Sequence, residues 1–197
     1  RDGYKNLYLC DTLGTIRRIS PADADLEYVA NDGRYIYYNS AEVSPVESHL
    51  FRVEVRQNAK QDLAKARISV PQRLTFEKGW HRIAMSPDRK HFIDSWSSFD
   101  VPARVNLASS DGKVIRQLFA SPDPLEGYKT GEVRFGTVKS ADGQYDNYYR
   151  MFLPVDFDPS KKYPVVLYVY GGPHSQMVTD TWLGSVRMWE MLMAQKG

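Results

Sequence analysis

The chain has 197 residues, of which 42% are hydrophobic, 13% aromatic and 25% charged, a composition typical of a globular protein with a substantial core. Its 26 basic residues are scattered among 24 acidic ones, for a net charge of +2. No basic stripe is therefore available for nucleic acid or an anionic membrane. No segment approaches the roughly 18 apolar residues of a membrane span.

The single cysteine and the four histidines indicate neither a disulfide nor a metal site. Cys10 ends an apolar run and is predicted to be a small buried residue of a strand. The histidines share no metal-ligand spacing with each other or with Cys10, so we expect no metal and no other cofactor. His49, His81 and His91 are predicted to be packed or surface side chains.

Residues 1–119 have the pattern of short strands separated by turns. Asn31-Asp32-Gly33, Ser86-Pro87-Asp88-Arg89 and Ser109-Ser110-Asp111-Gly112 each separate two β-type runs. Such residues tolerate the backbone angles of a hairpin turn, so each group predicts a hairpin. Helical periodicity is almost absent, and residues 57–66 are predicted to be a loop or a single turn.

A weak internal repeat runs through this half of the chain. Three similar segments, Ile16–Ser20, Pro71–Thr75 and Val114–Leu118, each close a hairpin. Their separation is near the roughly 40–50 residues of a four-stranded propeller blade. We therefore interpret residues 1–119 as the C-terminal blades of a β-propeller, about two and a half of them.

Residues 120–131 contain two prolines and two glycines, which predicts a linker. The pattern then changes. Val133–Lys139 and Asn147–Leu153 flank Ala141-Asp142-Gly143 and are predicted to form an antiparallel pair.

Residues 163–170 are apolar on both faces, which is typical of a central strand of an α/β sheet. An amphipathic helix is predicted over residues 183–194, with Met188, Met191 and Met193 in its core. We interpret residues 132–197 as the N-terminal portion of an α/β domain.

The predicted strand delivers Tyr170 to the edge of the sheet, where open α/β sheets place their ligands. Gly171 and Gly172 follow, and they allow the backbone to turn tightly and approach a substrate. Spacing alone nevertheless favours a core tyrosine over a site residue at this position.

A family resemblance adds to this picture. Residues 156–173 closely resemble the domain entry of the prolyl oligopeptidase family of serine peptidases, and within it the dipeptidyl peptidase IV branch. Gly172–Gln176 matches that branch, and the segments Ser44–Leu50 and Gly79–Asp88 resemble its late propeller blades. The fold implied is mixed: a partial β-propeller followed by a truncated α/β-hydrolase domain.

The resemblance implies an enzyme that removes dipeptides from peptides with a free N-terminus, favouring proline or alanine at the second position. Tyr170 would donate a hydrogen bond in the oxyanion hole, a contribution of about 2.7–4 kcal/mol to the barrier. Gln176 and His174 would lie near the substrate. Family habit also suggests a homodimer and a periplasmic or extracytoplasmic location.

The sequence contains no G-x-S-x-G segment, so the resemblance puts the serine, aspartate and histidine of the triad beyond Gly197. Ser175 and Ser185 lack the context of a nucleophile. The piece alone is expected to be inactive. We also expect the exposed strand 163–170 to be covered by further sequence, a companion chain or a partner copy.

Two alternatives stay open. The protein could be an acylaminoacyl-peptidase or oligopeptidase of the same superfamily, which a paired-glutamate motif in earlier propeller sequence would exclude. It could instead be a non-catalytic relative that uses both domains for binding.

Overall fold

The computed structural model describes residues 3–20, 23–56, 63–172, 175–182 and 187–197. These ranges contain thirteen strands, one α-helix and a 3-10 turn at Leu63–Lys65. The elements are β1 (Tyr8–Cys10), β2 (Ile16–Arg18), β3 (Leu26–Asn31), β4 (Tyr35–Ser40), β5 (His49–Arg56), β6 (Arg67–Ile68), β7 (Gln72–Arg73), β8 (Trp80–Met85), β9 (His91–Ser97), β10 (Arg104–Ser109), β11 (Val114–Ala120), β12 (Val133–Lys139), β13 (Asp146–Phe152) and α1 (Arg187–Lys196).

Two antiparallel meanders dominate the structure. In the first, β3, β4 and β5 pair in sequence order, and the far edge of β5 pairs with the short strands β6 and β7. In the second, β8, β9, β10 and β11 pair in sequence order. Strands β1 and β2 form a separate hairpin. The three repeated segments of the sequence therefore supply β2, β7 and β11, each the last strand of its sheet.

Turn chemistry fixes the hairpins. Between β3 and β4 the Asn31 side chain accepts a hydrogen bond from the Gly33 amide at 2.7 Å. The Asp32 carboxylate accepts from the amides of Arg34 and Tyr35 at 2.8 and 2.6 Å. These side chains satisfy backbone donors that the ladder leaves free, which is why the sequence marks the turns clearly.

The first meander buries both of its faces. On one face Ile36, Tyr38 and Phe51 pack against residues of the β1–β2 hairpin. On the other, Tyr37 and Leu50 pack against the second meander. Successive strand residues point to opposite faces, so one strand contributes to both cores. Each fully buried side chain of this kind contributes roughly 1.5–3 kcal/mol, and this burial holds the sheets face to face as propeller blades are held.

After the second meander, β12 and β13 form the predicted antiparallel pair. Phe135 of β12 meets Phe99 edge-on, with ring centroids 5.3 Å apart, which joins this pair to the loop after β9. Helix α1 packs against β13. At ten residues, α1 is the one α-helix of the described ranges, and no helix in those ranges is long and apolar enough to cross a membrane.

The structure overturns three expectations. Residues 163–170 are not paired into a sheet with any described strand, and Val165 and Leu167 are 86% and 81% exposed. A central strand needs a partner on each side, and the described chain supplies none. Cys10 is exposed rather than buried, because β1 packs Leu9 against the core and the next residue along the strand points to the opposite face. Met188 and Met193 of α1 are also exposed, so they form no helix core.

The predicted helix is found at Arg187–Lys196 rather than residues 183–194, and residues 183–186 lie outside the described ranges. The predicted single turn is found at Leu63–Lys65, next to residues 57–62, which also lie outside them.

Candidate functional site

Three connections emerge at the same end of the two meanders. They are residues 41–48 before β5, residues 74–79 before β8 and residues 98–103 after β9. The Ser48 amide donates to the Gly79 carbonyl at 3.3 Å, and the His81 amide donates to the Ser48 carbonyl at 2.9 Å. Because Trp80 pairs with Ser97, the end of β9 lies there as well. We call this end of the sheets the loop face.

Gly79 allows the close packing at the loop face. Its φ is +131°, a backbone conformation that side chains disfavour. A Cβ at this position would lie 2.2 Å from the Ser97 carbonyl oxygen. The connection before β8 can therefore approach the end of β9 only with glycine here.

A pair of fully buried histidines lies behind the loop face, one from each meander. The rings of His49 and His81 have centroids 5.0 Å apart. His49 Nε2 lies 2.9 Å from a Glu47 carboxylate oxygen, and the Arg73 guanidinium lies within 3.2 Å of the ring. Burial lowers the pKa of His49. The Glu47 hydrogen bond opposes this shift, and the nearby charges of His81 and Arg73 reinforce it.

His81 is held from both sides. Its Nδ1 lies 2.9 and 3.0 Å from the two oxygens of the Asp94 carboxylate, and its Nε2 lies 2.8 Å from the Glu77 carbonyl oxygen. The Trp96 ring stacks on the other face at 5.6 Å. Both ring nitrogens therefore have oxygen partners, as buried polar groups require. The His49–His81 pair therefore joins the two meanders and supports the loop face.

Residues 175–182 cross the loop face and contact both meanders. Asp180 is the best buried residue of this segment, with an exposed fraction of 0%. Its Oδ1 accepts a hydrogen bond from the Phe99 amide at 2.8 Å, and its own amide donates to the Val46 carbonyl at 2.7 Å. Its Oδ2 is buried with no partner among the described residues.

Charge around Asp180 is mixed. Burial raises the pKa of its carboxyl group. The Phe99 amide and the Lys78 charge lower it, and the carboxylates of Glu47 and Asp100 raise it further.

Comparison with known proteins identifies the architecture. Residues 1–103 match the family described as Dipeptidyl peptidase IV (DPP IV) N-terminal region, which is more than half of the chain. The chain belongs to the dipeptidyl peptidase IV family. The prediction of a partial β-propeller is confirmed by this match together with the stacked antiparallel sheets.

Relatives of this family member resemble it over most of its length. Dipeptidyl peptidase 4 of Trichophyton equinum is 26% identical over 189 residues, which cover 91% of this chain and 23% of that protein. Dipeptidyl peptidase 8 of Homo sapiens is 27% identical over 161 residues, which cover 77% of this chain and 16% of that protein. The chain therefore spans less than a quarter of the length of these two relatives.

A solved structure is similar over the whole chain. The crystal structure of Porphyromonas gingivalis dipeptidyl peptidase 4 has a TM-score of 0.84 and 28% identity, and it covers 100% of this chain and 27% of that one.

In this dipeptidyl peptidase IV family chain, Tyr170 lies on the surface at a tight turn. Its side chain is 51% exposed, so the ring is not sealed in a core. Gly171 has a φ of +70°, and a Cβ on Gly172 would lie 2.9 Å from Cε1 of the Tyr170 ring. Gly171 and Gly172 thus begin the turn that the sequence indicated, with the ring close to Gly172, and residues 173 and 174 lie outside the described residues.

Of the two other predicted site residues, the structure describes Gln176 and not His174. The Gln176 side-chain amide donates to the Pro45 carbonyl at 2.6 Å and to the Val178 carbonyl at 3.1 Å. Its donors are therefore used to bind the loop face. His174 lies outside the described residues. Substrate contact by either residue stays a prediction.

Sequence reasoning missed Asp180 altogether, and it did not foresee that the rings of His49 and His81 pack against each other. The three histidines were predicted to be packed or surface side chains. His49 and His81 are packed, and His91 is exposed. A residue pattern that could have revealed the pair is Gly79-Trp80-His81, because a glycine before an aromatic pair indicates close packing. Asp180 stands in a polar stretch without any comparable signal.

Proposed function

We propose that this chain is part of a serine exopeptidase that releases dipeptides from the N-termini of peptides. In this proposal residues 1–119 are the last propeller blades, residues 120–131 a linker and residues 132–197 the start of an α/β-hydrolase domain. The observation that carries it is the family match of residues 1–103, joined to an exposed tyrosine that precedes two glycines. The names of the relatives support the same activity.

Tyr170 is the residue of this chain that we assign to the chemistry. Attack of a serine on a peptide carbonyl places a negative charge on the carbonyl oxygen, and a phenol O–H can donate a hydrogen bond to it. The half-exposed ring is free to face a substrate that enters between propeller and hydrolase. In this proposal this chain supplies the oxyanion donor and does not supply the nucleophile, its histidine or its aspartate.

The test is Tyr170→Phe in the longer protein that contains this chain, assayed with glycyl-prolyl-p-nitroanilide. Because the donated hydrogen bond acts in the transition state, we expect kcat to fall by about 10²–10³-fold with little change in KM. Tyr168→Phe is the matched control, since Tyr168 lies on the same segment with a similarly exposed ring but not at the glycine turn. Full activity of Tyr170→Phe would remove this residue from the mechanism.

A blocked substrate separates the alternatives. An exopeptidase that requires a free N-terminus should hydrolyse glycyl-prolyl-p-nitroanilide and leave its N-acetylated form intact. Preference for the acetylated form would instead indicate an acylaminoacyl-peptidase or oligopeptidase. Binding of peptides without turnover of either substrate would indicate a non-catalytic relative. The homodimer and the extracytoplasmic location stay predictions, and sedimentation of the longer protein tests the first of them.

A further inference from the structure

The segment that follows the Tyr170 turn is fastened to two propeller blades at once. The Gln176 amide and the Asp180 backbone amide both donate to carbonyls of residues 45–46, which precede β5. On the other blade, the Phe99 amide donates to Asp180 Oδ1, and the Trp182 amide donates to Ser97 Oγ at 3.1 Å. Asp180 is the residue that takes part in both sets of contacts.

The burial of Asp180 contrasts with its surroundings. Residues 165–170 each have large exposed side chains, whereas Asp180 is inaccessible to solvent. Burying a carboxyl group costs free energy unless hydrogen bonds compensate for the lost water. Asp180 meets that cost in part through the Phe99 amide, and this hydrogen bond joins residues 81 positions apart in the sequence. A group buried at such a cost is suited to fixing one arrangement of the segment on the propeller.

We propose that Asp180 is a positioning residue that ties the segment after the Tyr170 turn to both blades, so that the propeller sets the placement of the oxyanion donor. The assignment to catalysis rests on the proposed function. Asp180 does not touch the reacting atoms in this proposal. It acts along the nine residues that separate it from Tyr170 in the sequence, of which residues 173 and 174 lie outside the described ranges.

The physical consequence concerns the transition state. A catalytic donor misplaced by about 1 Å can cost about 10²-fold in rate, because the hydrogen bond must meet the oxygen in its transition-state position. Releasing the tie should therefore lower kcat and leave KM nearly unchanged. Substrate contacts that the protein makes outside this segment are not affected.

The experiment compares Asp180→Ala and Asp180→Asn in the longer protein. Alanine removes the acceptor of the Phe99 amide, whereas asparagine keeps a side-chain oxygen at that place. Amide hydrogen exchange at Phe99 reports the tie directly. We expect exchange at least about tenfold faster in Asp180→Ala and near wild-type exchange in Asp180→Asn, since a net hydrogen bond of about 1.4 kcal/mol corresponds to a factor of ten.

Activity supplies the second readout. Asp180→Ala should lower kcat on glycyl-prolyl-p-nitroanilide by about 10–100-fold, and Asp180→Asn should recover most of it. In the double variant with Tyr170→Phe, Asp180→Ala should lower kcat little further, because the effects of two residues that act through one another are not additive. Asp156→Ala, an exposed aspartate in the same part of the chain, is the matched control and should leave exchange at Phe99 and kcat unchanged.

Each result supports or overturns one part of the proposal. Unchanged exchange at Phe99 in Asp180→Ala overturns the tie, and faster exchange with unchanged kcat overturns its positioning role. A fully additive loss with Tyr170→Phe overturns the link to the oxyanion donor. If Asp180→Ala does not fold, Ser97→Ala removes the acceptor of the Trp182 amide without touching a buried charge, and faster exchange at the Trp182 amide with unchanged kcat overturns the positioning role of the tie. A wild-type protein without peptidase activity fails the proposed function, while the exchange measurement still tests the tie.

Discussion

A cluster of titratable side chains lies behind the loop face. His49 and His81 face each other at 5.0 Å, with Glu47, Arg73 and Asp94 around them. Such a cluster costs desolvation and returns hydrogen bonds, so its net effect depends on protonation. His49 is the member whose pKa is lowered, chiefly by burial.

The lowered pKa of His49 predicts a loss of stability in acid. In the unfolded chain a histidine takes up a proton near pH 6.5, whereas folded His49 resists it. Above about pH 6.5 the protonation of His49 therefore does not change the free energy of unfolding. As the pH falls below that value, it lowers the free energy of unfolding. As the pH is lowered from 7 to 5, we expect the melting temperature of the wild type to fall more than that of His49→Gln. Thermal unfolding followed by circular dichroism measures it, and parallel curves would contradict this account.

At the scale of elements, the hairpins and their repeat were predictable because their signals are local. Alternating side chains and Asx turns act within a few residues, so β3, β4, β8, β9, β10 and β11 could be anticipated. The unpaired state of residues 163–170 could not be anticipated, because a segment becomes a strand only when a neighbouring strand pairs with it. The same eight residues have the composition of a central strand and yet have no partner among the described strands.

Packing of one element against the next sets a strict limit at Gly79. A Cβ there would overlap the Ser97 carbonyl, and the φ of +131° is unfavourable for alanine. We expect Gly79→Ala to lower the free energy of unfolding by about 2–6 kcal/mol, since strained backbone and overpacking each cost about 1–3 kcal/mol. Gly143→Ala is the control, because its φ of +73° is similarly disfavoured but its surroundings are open, and it should lose only about 1–2 kcal/mol.

Urea unfolding of the two glycine variants provides the measurement. Equal losses would show that backbone conformation alone, and not the contact with Ser97, requires glycine at position 79.

The whole molecule presents an apolar surface that its own described residues do not cover. Val165 and Leu167 lie at its centre and are more than four-fifths exposed. Contiguous exposed apolar surface of this kind promotes association. The candidate donor Tyr170 lies at the end of the same run, so what covers residues 163–170 also completes the proposed site.

The isolated 197-residue chain should therefore self-associate. We expect the double variant Val165→Lys and Leu167→Lys to raise the monomer fraction in sedimentation velocity, because two charges on the run oppose its burial. Val70→Lys is the control, since Val70 is 87% exposed but stands alone. A wild-type chain that is monomeric and melts cooperatively would contradict the expectation.

For the candidate site, the sequence alone determined the tyrosine, the glycine turn and the family resemblance, because each is written in consecutive residues. Tertiary structure alone decided that Asp180 is buried against Phe99, that Gln176 binds the Pro45 carbonyl, and that the rings of two histidines pack against each other between blades. The Gln176 and Asp180 contacts join residues 131 and 81 positions apart. Burial and hydrogen-bond partners at such separations depend on how whole sheets pack, and no local pattern of side chains encodes them.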